Sequence, residues 1–177
     1  MAYRLIPIQA HDRGQAAEQG QAGAPASAKA PGLSLKGRAL RHLSLREHSW
    51  LELQRKLAPH AESPEQLDRL RHELEAAGWL SAERFAESVA HRKAAKYGTA
   101  RIQAELRQHQ IPADVADDVL SRLRDSELQR AHAAWSRRFD QPPQDAQARA
   151  KQHRFLAQRG FAGGVIQKIL QGWTPEA

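Results

Sequence analysis

The sequence predicts an all-α protein: an elongated, curved array of three tandem three-helix repeats, preceded by a disordered N-terminal arm. Three observations lead there. From Leu33 onward the chain is rich in Ala, Leu, Gln, Glu and Arg, with little strict alternation and few β-branched residues. Serine-led helix starts recur along it. Apolar positions repeat with a fixed spacing at intervals of about one supersecondary unit.

The arm is assigned to residues 1–34. Between Gln9 and Gly32 it is Ala, Gln, Gly and Pro with almost no large apolar side chain, so burial cannot offset the entropy of ordering its backbone. MAYRLIPIQA lacks the apolar run of a secretory signal, and no stretch of the chain is long and apolar enough to span a membrane. No cysteine is present, which removes disulfides, thiolate nucleophiles and Cys-based zinc sites and suits a reducing cytoplasm.

Helix starts follow in order. Ser49-Trp50-Leu51-Glu52 and Ser63-Pro64-Glu65-Gln66 place a capping Ser three residues before Glu or Gln, and Pro64 falls where a missing N–H costs nothing. Ser126-Glu127-Leu128-Gln129 repeats the pattern, and Ser81 can cap the run that begins at Ala82. Gly78, Gly98 and Gly160 each follow a helical run and suit the left-handed position that ends a helix.

Leu57, Leu70 and Leu74 are separated by 13 and then 4 residues; Leu106, Val119 and Leu123 repeat that spacing, as do Leu156, Ile169 and Trp173. The chain therefore divides into repeats at 35–80, 81–126 and 127–173, with a tail at 174–177. A helix of about ten residues is only about 15 Å long, so each repeat must bury apolar surface against a neighbour. The crossover between the first two repeats is assigned to Gly78, Trp79 and Leu80, with Phe85 and Val89 holding neighbours together and Tyr97-Gly98 closing the helix. Trp50, Trp79, Trp135 and Trp173 are assigned to repeat cores, which leaves no spare apolar patch and makes a monomer the expected state.

The net charge of +7 favours polyanions or an acidic protein surface. It is uneven. Residues 127–173 hold eight Lys and Arg against three Asp and Glu, whereas each earlier repeat holds eight against seven. On the helix after Ser81, Arg92 and Lys96 stand seven and eleven residues from Phe85 and so continue the stripe of Phe85 and Val89. Either their stems lie on the core near a helix C-terminus, or the stripe meets a partner.

Chemistry is not indicated. Glu47-His48-Ser49 contains the letters of a hydrolytic triad, but adjacent residues cannot converge in that way. Gly163-Gly164 lacks the Lys-Ser/Thr of a phosphate loop and is assigned to the turn before the last helix. The nine histidines show no zinc spacing, so no enzyme activity, metal or cofactor is expected.

REHSWLELQRKL at Arg46–Leu57, GWLSAERFAES at Gly78–Ser88, KYGTARIQAEL at Lys96–Leu106 and RFLAQRGFAGGVIQKIL at Arg154–Leu170 together resemble the ordered landmarks of the RecX regulatory proteins. The resemblance covers Leu35 to Trp173. It departs from the family's pattern at Ser81-Ala82, where members often carry acidic residues, and in the long arm. It implies tandem three-helix repeats and a non-enzymatic regulator that binds the groove of RecA filaments on single-stranded DNA. Such a protein limits filament growth, ATP hydrolysis and strand exchange in recombination and repair.

Under that expectation the array touches more than one protomer through weak contacts that add as avidity. The residues expected to meet RecA, or single- or double-stranded DNA, are Arg92, Lys93, Lys96 and Arg101 in the second repeat. In the third they are Arg137, Arg138, Arg149, Lys151 and Arg154. Short helices with basic faces also fit a stand-alone helix-turn-helix DNA-binding protein, or a helical scaffold for an unrelated partner.

Overall fold

The computed structural model describes residues 32–175. Most of the expected disordered arm and the last two residues of the tail lie outside the described residues. Among the described residues there is no strand, and the helices run α1 (Leu35–Leu43), α2 (Trp50–Leu57), α3 (Pro64–Ala76), α4 (Ala82–Lys93), α5 (Thr99–Gln108), α6 (Ala113–Asp125), α7 (Glu127–Ser136), α8 (Ala146–Ala157) and α9 (Gly163–Leu170). A single 3-10 turn, Ala58–His60, follows α2.

Three buried clusters organise these helices into triads. Leu53, Leu57, Leu67, Leu70 and Leu74 close the first, from α1 to α3. Phe85, Val89, Ile102, Leu106 and Leu120 close the second, from α4 to α6. Trp135, Leu156, Ile166 and Ile169 close the third, from α7 to α9. We call the triads units one, two and three. The repeated spacing has a simple origin: an apolar residue late in the second helix of a unit faces two positions one turn apart on the third. Leu57, Leu106 and Leu156 take the first role, and all three are essentially inaccessible. Trp173 lies beyond α9 and is half-buried against the third cluster.

Local signals explain most helix starts. Ser34, Ser49, Ser63 and Ser81 accept from the amides of Gly37, Glu52, Gln66 and Arg84, and Asp145 accepts from Ala148. Each bond satisfies one orphan donor of a first turn. Pro64 occupies the first turn of α3.

Five expectations about the fold are corrected. Ser126 does not cap α7: α6 runs almost directly into α7, its φ of −94° and ψ of 2° are not extended, and its Oγ donates to the Arg122 carbonyl instead. Trp79 does not enter a core and is 50% exposed. Gly78 reverses the chain at φ 70°, the amides of Trp79 and Leu80 both bond Leu74 O, and it is Leu80 that turns inward while Trp79 is thrown out. Gly163 and Gly164 form the first turn of α9 rather than a preceding loop.

Gly98 is the fourth. Its φ is −75°, so it does not end a helix in the left-handed region; it sits at the N-cap of α5. A glycine is required there for another reason: a Cβ would overlap the backbone carbonyl of Gly160. Gly98 N donates to Arg159 O at 2.9 Å, and a Cβ on Gly160 would stand 2.7 Å from that of Arg101. Two backbones thus meet at the seam of units two and three. Phe85 and Val89, assigned between neighbours, instead fill unit two's own core.

Gly98→Ala is expected to lower stability by about 1–3 kcal/mol or more, because rigid backbone must move. Gly163→Ala, with open space around it, is expected to stabilise by about 0.4–1 kcal/mol. Urea unfolding of both variants checks the contrast, and equal effects would remove the close-approach explanation.

Candidate functional site

Both seams between units are polar. At the first, between units one and two, Ser49 Oγ and His109 Nδ1 share a 3.1 Å hydrogen bond, and His109 Nε2 lies 3.9 Å from Glu52. Arg84 ties Glu47 to the Gly78 and Trp79 carbonyls. Ser49 is 1% exposed and its Oγ also accepts from the Glu52 amide, so this hydroxyl is a structural cap.

His48 is buried beside that seam and bonds Arg46 O through Nδ1; a carbonyl can only accept, so the proton sits on Nδ1. Burial lowers its pKa from the ordinary 6.5, with Arg46 adding to the effect and the Arg46 carbonyl opposing it. Glu52 is also lowered: burial works against ionisation, but the Arg46 hydrogen bond and charge and the nearby histidines outweigh it.

At the second seam, α5 has no side chain at its own N-cap. Glu127, 5% exposed on α7, supplies the acceptor for Thr99 N at 3.0 Å. Arg130 donates to Ala94 O, Tyr97 O, Leu123 O and Thr99 Oγ1. Seven residues later, Arg137 reaches Ala95 O at 3.3 Å. The α4–α5 turn is therefore held by arginines of unit three.

Beside this seam opens a groove of about 420 Å³ lined by Lys96, Tyr97, Arg137, Arg138, Phe155 and Arg159, together with Ala95 and Ala134 and no acidic residue. Arg159 lies 3.7 Å from the Phe155 ring centre and Arg138 lies 5.2 Å from it. Phe139 meets Phe155 edge-on at 5.3 Å. The ring orients both guanidiniums without neutralising them. Among the described residues no cation of unit three takes part in a salt bridge, nor does Lys96. Four cations converge with their charge unspent, which suits an oxyanion or carboxylate partner.

Of the nine residues singled out from sequence, the groove gathers Lys96, Arg137 and Arg138. Lys96 lies in the turn after α4, not on its helical stripe. Lys93 is paired with Glu105 at 2.6 Å, and Arg92 donates to Ser88 Oγ. Arg101 stacks 4.4 Å over the Tyr97 ring and bonds Gln158 O, making it a seam residue. Arg149 bonds Gln167, and Lys151 and Arg154 are exposed on α8 outside the groove. Arg159 was missed as a groove residue, although Phe155 four positions earlier was the signal that its guanidinium could cover a ring.

Because His48, its neighbour His42 and Glu52 bind fewer protons folded than unfolded, stability is full above about pH 6.5 and falls on acidification, first through the two histidines and then, below about pH 4.5, through Glu52. His48→Gln is expected to flatten the fall in urea midpoint between about pH 7 and 5.5. An unchanged slope would remove His48 as its source.

Residues 83–120 match the model described as RecX, second three-helix domain, and 125–170 match RecX, third three-helix domain. The chain is 54% identical over 140 residues to the Regulatory protein RecX of Ralstonia nicotianae, covering 79% of this chain and 88% of that one. It is 50% identical over 141 residues to that of Leptothrix cholodnii, covering 80% and 90%. The structure of RecX from Lactobacillus salivarius shares the fold with a TM-score of 0.67 at 19% identity, covering 77% of this chain and 92% of that one. With its second and third three-helix domains matched and identity of half or more to these relatives, this chain belongs to the RecX family of regulatory proteins.

Proposed function

We propose that this protein binds RecA filaments assembled on single-stranded DNA and limits their extension, ATP hydrolysis and strand exchange. It does so by occupancy and catalyses no reaction of its own. The observation that carries this reading is family membership at 54% identity across 88% of a Regulatory protein RecX. The groove supports it physically: arginines held on an aromatic ring, free of carboxylate partners, match either acidic side chains or phosphate. Several units binding along a repeating filament convert weak contacts into avidity. Arg92, Arg149, Lys151 and Arg154, all exposed, extend the cationic surface beyond the groove.

RecA ATPase on single-stranded DNA, titrated with this protein, tests the reading. ATP hydrolysis is expected to fall, and the Arg137→Ala/Arg138→Ala/Arg159→Ala variant is expected to need at least about tenfold more protein for the same inhibition. A parallel salt titration separates filament binding from binding to naked DNA, which weakens steeply with rising salt because releasing counterions into a more concentrated solution gains less entropy. Sequence-specific duplex binding without RecA, or no effect on RecA at all, would overturn the proposal in favour of a stand-alone helix-turn-helix protein or an unrelated scaffold.

A further inference from the structure

Unit one carries a second basic concavity that shares no residue with the groove at the second seam. It lies between α1, the α1–α2 turn and the end of α2, with a volume of about 230 Å³. Arg38, Arg41, His42 and Lys56 line it together with Leu33 and Leu45, and no Asp or Glu does. Among the described residues none of Arg38, Arg41 and Lys56 forms a salt bridge, although unit one elsewhere pairs Lys36 with Glu73, Arg46 with Glu52 and Arg71 with Glu75. Arg38 is fixed by donating to Leu33 O at 3.1 Å, while Arg41 and Lys56 are exposed.

Two further facts point to a ligand. Three large apolar side chains are exposed among the described residues, and two of them, Leu33 at 53% and Leu45 at 78%, line this one concavity. Two exposed leucines gathered at one concavity, beside unpaired cations, offer a partner both apolar contact and charge. The field is also felt locally: burial and then the charges of Lys56, Arg41 and Arg46 hold the His42 imidazole below its ordinary value.

We infer that this concavity is a docking site for a short acidic segment of a protein partner that carries apolar side chains among its carboxylates. Charge complementarity selects the sign, because the site offers cations and no acid. The two leucines select a peptide over nucleic acid. The only rings lining the site are the small imidazoles of His42 and His60, and no Phe, Tyr or Trp offers a broad platform for an unpaired base, whereas the groove at the second seam presents Tyr97 and Phe155. The volume suits a carboxylate and one apolar side chain, below the range of drug-sized pockets of about 300 Å³ and more. This site does not depend on the RecA reading, since it is read directly from unit one.

Fluorescence anisotropy with the full chain tests it, using a labelled peptide of about twelve residues composed of Glu and Leu, a Glu-only peptide, and a single-stranded oligonucleotide of equal charge. The Glu/Leu peptide is expected to bind saturably and more tightly than the Glu-only peptide. Arg41→Glu/Lys56→Glu should weaken it at least about tenfold by charge reversal, and Leu45→Ser about threefold or more by loss of apolar contact. All three positions are exposed, and unchanged thermal melting confirms that the variants fold. Variants that bind like the parent overturn the site. So does an oligonucleotide that displaces the peptide while Leu45→Ser has no effect, which would make it a phosphate-binding surface.

Discussion

The guanidinium of Arg130 is the interaction on which the second half of the molecule depends. One side chain of unit three donates to the last carbonyls of α4 and its turn, to a carbonyl of α6, and to the Thr99 hydroxyl at the start of α5. It is half-buried: burial lowers its pKa from the ordinary guanidinium value and the charge of Glu127 opposes that. A charge taken out of water this way is tolerated only when its donors are used, and removing it would leave several carbonyls without partners. Glu127, three residues before it, closes the amide end of α5 that no local side chain can cap. Gly98 and Gly160 let the backbones approach closely enough for both bonds to form.

The groove follows from that latch. Arg137 lies seven residues beyond Arg130 and reaches Ala95 O, so the same face of α7 that locks the turn also places the first groove arginine. Tyr97 and Lys96 come from the turn that is locked, and Phe155, Arg138 and Arg159 from unit three. Neither unit contains the groove by itself. The first seam works differently, through Ser49, His109, Glu52 and the Arg84–Glu47 pair, so the two joints of the array respond to different conditions. Acid acts on the first through His48 and Glu52; the second contains no histidine among its latch residues.

Much of the fold was legible because it is written in local and periodic signals. The Leu57/Leu70/Leu74 spacing and its two echoes report helix pairing directly, and Ser49, Ser63 and Ser81 cap as their neighbours require. What was illegible is long-range. Glu127 looked like part of a capping box for α7, yet its partner is Thr99, 28 residues earlier. Gly98 looked like a helix terminator, yet its constraint is the backbone of Gly160. The cationic excess of residues 127–173 could be counted, but not which cations were already used: Lys93 is neutralised by Glu105, Arg130 and Arg101 are spent on the seam, and Arg159 completes the groove. Trp79 was assigned inward on its hydrophobicity alone, whereas the turn geometry of Gly78 gave the inward place to Leu80.

A seam, rather than a scatter of surface charges, builds the groove that we propose meets RecA. RecA ATPase on single-stranded DNA in the presence of the Arg130→Ala protein tests this most directly, because the substitution leaves Lys96, Arg137, Arg138 and Arg159 in place. Inhibition is expected to be weakened at least about tenfold while circular dichroism remains helical, since each unit keeps its own buried cluster. Inhibition equal to that of the parent protein would contradict it.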